Sequence, residues 1–297
     1  ACKAAVPDTL VVDDSSWIGW QRISDFWDEH PYGNNSWWAG RIAEFQRHID
    51  RAGKKPLLLG ECIAADTWVD ATAWRGAHGD SAVFWRPECW TAQQAAETWL
   101  VQAYGPQLVQ SLRPTSLDFG LRNRKFQIEQ LRLLMPDAGY VVSVARDVPK
   151  ARMGLFDDLD RAKWPASAWQ WHSDSMLCLD RPWNGRCFGP GSPPPSVRIA
   201  HGGIGALDGE LRLTSDAPDA RVRTQAVRGE AGSVTAGAAF PDLPTLQPGE
   251  GPRRLRLQAE LSGSHRATNA WDVWLLPPFE RTVEDVHHID ALTPEWL

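Results

Sequence analysis

Glu61 stands where a carboxylate has little structural purpose. Lys54-Lys55-Pro56 is followed by the apolar run Leu57-Leu58-Leu59 and then by Gly60-Glu61-Cys62. A short apolar run with a proline at its entrance reads as a strand buried on both faces, as in a parallel sheet. An acid at the end of such a strand projects from the C-terminal rim, where α/β barrels keep their chemistry. The plainer alternative is a helix N-cap or a loop acid. Other groups fall at comparable places. His30 and Tyr32 follow the run 23–27, Asp14 follows the run 9–12, and Asp147 follows the apolar run 139–144.

The elements that would position these groups alternate over residues 1–175. Runs 9–12 and 23–27 read as strands, and Ile42, Phe45 and Ile49 recur at helical spacing with charges between them. Gly53 stands where a C-terminal glycine should end that helix. From Thr91, a second helical face carries Leu100, Val101, Tyr104, Leu108 and Leu112, disturbed at Gly105-Pro106. Ile128, Leu131, Leu134 and Met135 follow on a further helix, and 139–144 is the last strong strand. Four strands separated by helices describe a parallel sheet.

Residues 176–196, rich in Pro and Gly and ending in Pro193-Pro194-Pro195, read as a linker. Beyond it the period becomes two. Leu255, Leu257, Ala259 and Leu261 alternate with polar residues, as do Leu211 and Leu213, and Val222, Thr224 and Ala226. Residues 197–280 therefore read as an antiparallel sandwich whose last strand spans 269–277, with Trp271 and Trp274 as packing residues. Residues 281–297 form an acidic tail containing His287-His288, which lacks partners at metal-ligand spacing.

Composition bounds the rest. The 297 residues, 43% hydrophobic and 23% charged, suit a globular protein with a real core. A formal charge of −6 argues against nucleic acid as a partner. No stretch approaches the roughly 18 apolar residues of a membrane span, and no cofactor is expected. The 17 Trp suit either core packing or stacking on sugar rings. Cys178 and Cys187 are spaced to close a short loop, a pairing that sequence leaves open.

Four motifs in order resemble barrel strands five to eight of glycoside hydrolase family 2, the β-galactosidase, β-mannosidase and β-glucuronidase group. They are Thr-Leu-Val-Val-Asp-Asp-Ser-Ser from Thr9, Ser-Asp-Phe-Trp-Asp-Glu-His-Pro-Tyr from Ser24, Lys-Pro-Leu-Leu-Leu-Gly-Glu from Lys55, and Gly-Tyr-Val-Val-Ser-Val-Ala-Arg-Asp-Val from Gly139. The run from Asn269 through Leu276 to Pro277 is similar to the end of the sandwich domains appended to such barrels. The resemblance implies the C-terminal half of a (β/α)8 barrel followed by a β-sandwich. It makes Glu61 the nucleophile of a retaining exo-β-glycosidase, and His30, Tyr32, Asp147, Asp14 and Trp17 the residues around its sugar, with Tyr32 donating a hydrogen bond to Glu61. Such enzymes pair the nucleophile with a second carboxyl group, about 5 Å away, that protonates the leaving oxygen.

That family's acid lies in an Asn-Glu pair, and no Asn-Glu occurs here. Glu29 and Glu88 are the substitutes to consider. The expectation is therefore a C-terminal piece of a longer enzyme, its partners a carbohydrate and the missing amino-terminal half. The compartment stays open, with an exported location favoured over a cytoplasmic one. The competing reading is a non-catalytic carbohydrate-binding protein built on a barrel relic, using rim aromatics Trp17, Trp20, Trp27, Trp37 and Trp38. A third treats the sandwich as a spacer or docking module.

Overall fold

The computed structural model describes residues 2–22, 24–79 and 89–278. Glu88, the tail 281–297 and His287-His288 lie outside the described residues. The chain opens with a single helical turn, α1 (Cys2–Ala5), and a loop to the short strand β1 (Trp27–Glu29). The helix α2 (Trp38–Ala52) leads to β2 (Leu57–Cys62). Helices α3 (Ala71–His78), α4 (Cys89–Tyr104) and the long α5 (Pro106–Leu134) precede β3 (Gly139–Val142). The three strands form a parallel sheet in the order β1-β2-β3, with Trp27 opposite Leu57 and Leu58 opposite Gly139.

Local sequence accounts for these elements. In α2 the residues Trp38, Ile42, Phe45 and Ile49 fill one stripe and are all buried, so the helix lies down on the sheet. Its end is set by Gly53, at φ 112°, whose N–H reaches back to Ile49 O. Gly105, at φ 86°, separates α4 from α5, which begins with Pro106. Leu57 and Leu59 on β2 enter a core with Ile42, Phe45, Ile128 and Leu131.

Several expectations need correcting. Among the described residues the run 9–12 forms no strand and makes a single bridge, Val12 to Ser24. The reason is local: Val11 N–H bonds the Asp25 carboxylate at 2.7 Å, and Val11 O accepts from Asp25 N, so its backbone is satisfied without a ladder. Three parallel strands are therefore described where four were expected, and the described residues do not form a closed barrel. The helical face from Leu100 to Leu112 is not a core stripe either, since Val101, Tyr104 and Leu108 are exposed. Only the second half of α5, from Gly120 to Leu133, is buried.

The stretch 176–196 is not a plain linker. Strand β4 (Ser175–Leu179) is buried along its whole length, and β5 (Cys187–Phe188) joins another sheet. Strands β6 (Ser196–His201), β7 (Leu207–Ser215), β8 (Arg223–Gly229), β9 (Ser233–Ala239), β10 (Arg253–Gly263) and β11 (Ala267–Leu275) follow. They build two sheets, ordered β5-β11-β10-β7-β8 and β4-β6-β9. Between them pack Leu211, Leu213, Leu255, Leu257, Leu261 and Val273, so the period-two pattern of β7 and β10 holds. On β8 the buried residue is Val227, and Val222 is exposed, the opposite phase to that expected. Trp271 is buried, as packing requires, whereas Trp274 on the other face is 46% exposed.

Strand β4 explains the burial of its neighbours. Leu177 and Leu179 face the core between the five-stranded and three-stranded sheets, while Met176 and Cys178 face the core shared with Ile128 and Leu131 of α5. Cys178 and Cys187 are both free thiols, because they lie in different sheets. Among the described residues no helix is long and apolar enough to cross a membrane.

Candidate active site

The C-terminal ends of the three parallel strands converge on Glu61. Tyr32, just beyond β1, donates its phenol O–H to Glu61 Oε2 at 2.7 Å. The same phenol lies 3.2 Å from Ser143 Oγ, just beyond β3. His30 Nδ1 is 3.8 Å from Glu61 Oε2, and its Nε2 is 3.4 Å from Asp28 Oδ2. Adjacent strands have thus delivered a carboxylate, an imidazole, a phenol and a hydroxyl to one rim, the common place for sites on parallel sheets.

Behind the rim lies a buried support. Asp28 is 3% exposed and its Oδ2 accepts from Ser15 Oγ at 2.5 Å and from Ser16 N–H at 3.1 Å. Gln21 clamps the Asp28 backbone, its Nε2 donating to Asp28 O at 2.6 Å and its Oε1 accepting from Asp28 N–H at 3.1 Å. Gly60 is needed for closeness: a Cβ there would lie 2.6 Å from Asp28 Oδ1 and 2.8 Å from His30 Nε2. Asp28, His30 and Tyr32 are spaced i, i+2, i+4, so they share one side of an extended chain. That spacing was a signal in the sequence. Ser15, Gln21 and Ser143 had none.

The electrostatics suit an exposed anion beside a protonated donor. Burial, and the hydrogen bond to Glu61, push the Tyr32 phenol above its ordinary value, against the opposing effect of Ser143, so it remains a donor. Burial pushes the adjacent Cys62 thiol up to about 12, which leaves it inert as a nucleophile. Glu61 itself is half exposed. Among the described residues no group of three or more His, Cys, Asp or Glu could hold a metal ion.

The remaining candidates are placed differently. Asp147 is 8% exposed and its carboxylate turns to Lys163 Nζ at 2.6 Å, Arg152 Nη2 at 3.1 Å and Gly154 N–H at 2.8 Å, rather than to Glu61. Lys163 also donates to Thr67 Oγ1 and Arg152 O, and burial lowers its ammonium to about 8. This buried network ties the loop after β3 to the segment after β2. Asp14, at φ 46°, is exposed, and its carbonyl accepts from Gln21 Nε2 and Trp17 N–H. Trp17, Trp20 and Trp37 are exposed. Trp27 and Trp38, expected at the rim, are instead buried, their indole N–H groups bonded to Gly53 O and Gln127 O. Glu29 is buried too, accepting from Ile18 N–H at 3.1 Å.

No protein-family profile matches the chain, and no curated protein does. Among solved structures, the chain is similar to a β-glucuronidase from Bacteroides uniformis, at 12% identity and a TM-score of 0.27, covering 86% of this chain and 26% of that one. It is also similar to a proposed β-galactosidase from Bacteroides fragilis, at 12% identity and a TM-score of 0.33, covering 96% of this chain and 38% of that one. A third is a glycoside hydrolase family 86 β-porphyranase from Bacteroides plebeius, at 10% identity and a TM-score of 0.24, covering 80% and 47%. The chain therefore spans between about a quarter and a half of the length of these glycoside hydrolases.

Proposed function

We propose that Glu61 is the nucleophile of a retaining, exo-acting β-glycosidase and that this chain carries the nucleophile's side of the site. The observation that carries the reading is the convergence of Tyr32 and His30 on one oxygen of an exposed carboxylate at a parallel-sheet rim. A retaining nucleophile must be ionised, reachable and held in one orientation; the exposure of Glu61 supplies the second, and a phenolic donor on one oxygen supplies the third without neutralising the charge. The free oxygen of Glu61 would bond the anomeric carbon as the bond to the leaving oxygen breaks. Water would then displace Glu61 from that carbon, with retention overall.

Among the described residues the second carboxyl group is not evident beside Glu61. Asp28 and Glu29 are buried, so neither presents a face to substrate. Activated substrates bypass this need, because a dinitrophenolate leaves without a proton. Incubation with 2,4-dinitrophenyl 2-deoxy-2-fluoro-β-glycosides should give one covalent adduct by mass spectrometry, on the peptide containing Glu61, and none in Glu61→Gln. An adduct elsewhere, or none with any sugar, would overturn the assignment. Ordinary aryl β-glycosides should be hydrolysed negligibly; rapid turnover abolished by Glu61→Gln would place the acid within these residues.

A second reading has its own observation, since the indoles of Trp17, Trp20 and Trp37 are 62%, 69% and 59% exposed. If the chain only binds sugar, oligosaccharide affinity should survive Glu61→Ala and fall on replacing Trp17 or Trp37.

A further inference from the structure

The imidazole of His30 stands between two carboxylates. Its Nδ1 is 3.8 Å from Glu61 Oε2 and its Nε2 is 3.4 Å from Asp28 Oδ2, so each ring nitrogen faces an acid. The two acids differ in their surroundings. Glu61 reaches solvent from the rim, whereas Asp28 is buried within β1, opposite Leu58 of β2. Their alignment with the ring follows from the order along the chain. Asp28 and His30 are two residues apart, on one side of the extended strand direction. Pro31 restricts the His30 backbone to the extended region, so the ring follows the acid without a change of face.

Burying a carboxylate costs free energy unless its oxygens and its charge are answered. Those of Asp28 are answered only in part. Its Oδ2 accepts from Ser15 Oγ and Ser16 N–H, and Gln21 holds its backbone at both the N–H and the carbonyl, which fixes the stretch of strand that carries it. Its Oδ1 is buried with no hydrogen-bond partner among the described residues. Among those residues no Lys or Arg pairs with Asp28, and its one ion-pair partner is His30. Gly60 lets the two approach, because Oδ1 and His30 Nε2 both lie within 2.8 Å of the place that a Cβ would take there. An acid that served only to tie down the loop 13–22 would need Oδ2 alone. The ring accounts for the second oxygen and for the glycine.

We propose that Asp28 is a positioning residue that acts through His30, holding the imidazole with Nε2–H turned inward and Nδ1 presented to Glu61 Oε2. That oxygen already accepts from Tyr32, so the Glu61 carboxylate is held from two sides and Oε1 is left to the electrophile. A neutral imidazole has one N–H and serves one of the two acids, whereas an imidazolium has two and serves both. A buried acid behind an imidazole fixes its tautomer and ring plane, and orientation at the reacting atom is a large source of rate. The kinetic consequence rests on the reading of Glu61 as a nucleophile, whereas the orientation of the ring does not.

Two measurements on the full chain separate these claims. Long-range proton–nitrogen correlation NMR of the native protein should show a proton on His30 Nε2. Asp28→Asn should shift that nitrogen resonance and leave the melting temperature nearly fixed, since the amide carbonyl still accepts from Ser15 and Ser16. A ring protonated at Nδ1 alone, or one indifferent to Asp28→Asn, would overturn the proposal, and the native spectrum decides even where the variant does not fold. In the trapping reaction with the 2,4-dinitrophenyl 2-deoxy-2-fluoro-β-glycoside, Asp28→Asn should lower the maximal rate roughly 10- to 100-fold. The glycoside concentration giving half that rate should change little. His30→Gln should do the same, and the double variant should be no slower than His30→Gln alone. Losses that multiply would show Asp28 acting without His30, which also overturns the proposal. If the native chain forms no adduct, the nucleophile reading fails and the spectrum alone decides the role of Asp28.

Discussion

The geometry of the rim depends on two single-atom decisions. Tyr32 contributes one hydrogen bond to a charged oxygen, of a kind that is worth about 1.5–3 kcal/mol. Tyr32→Phe should therefore slow glycosylation of Glu61 by roughly 10- to 100-fold in the trapping experiment. The melting temperature should stay nearly fixed, because this side chain is half exposed. An unchanged rate would mean that the phenol only packs. Gly60 is the other decision. Gly60→Ala drives a methyl against Asp28 Oδ1 and His30 Nε2, so it should cost about 1–3 kcal/mol in urea denaturation. It should also perturb the His30 ring resonances by NMR. If neither changes, the close approach of β1 and β2 at the rim is not as described.

At the scale of the element, β2 joins a buried side to an end that carries an exposed acid. Cys62 belongs to the buried side, and its thiol is held above its ordinary value of 9.0, at about 12, by desolvation. Between those values the unfolded chain loses a proton that the folded chain keeps. Its contribution is therefore complete below pH 9 and lost as pH rises towards 12. The stability advantage of the native chain over Cys62→Ala should shrink by about 1 kcal/mol between pH 8.5 and pH 10. A difference independent of pH would show the thiol to be solvated. The network of Lys163, Asp147 and Arg152 does the same service for the loop after β3, with charges in place of apolar contact.

Across the whole molecule, α5 is the shared element. Its Ile128 and Leu131 pack with Met176 and Cys178 of β4, and its Glu129 carboxylate bonds Asn269 and Trp271 of β11. Burial lowers the Lys125 ammonium, and Glu129 opposes that effect. Removing the acid would leave the Lys125 and Arg186 cations without their buried counter-charge, at a cost of roughly 3–5 kcal/mol. Calorimetry should give one cooperative transition for the native chain, and Glu129→Gln should lower it and split it in two. A single unshifted transition would mean that the α/β part and the two C-terminal sheets are held together by apolar contact alone.

Much of this was legible locally. The apolar stripe of α2, the alternation of β7 and β10, the break at Gly105 and the acid at the end of β2 all follow from periods of 3.6 or two, or from one special φ. Those are properties of neighbouring residues, so the chain need not be folded to read them. The position of β4 was not, because burial on two faces requires two cores that arrive from distant sequence. Nor was the destination of Asp147, whose strand-end position suggested the rim and whose carboxylate found Lys163 and Arg152 instead. The bond from Tyr32 to Ser143 spans 111 residues, and no pattern at either end announces the other. The sequence by itself determined which faces are apolar and where an acid ends a strand. Tertiary structure alone decided which polar groups meet, since that depends on how parallel strands are ordered and registered once the helices between them have packed.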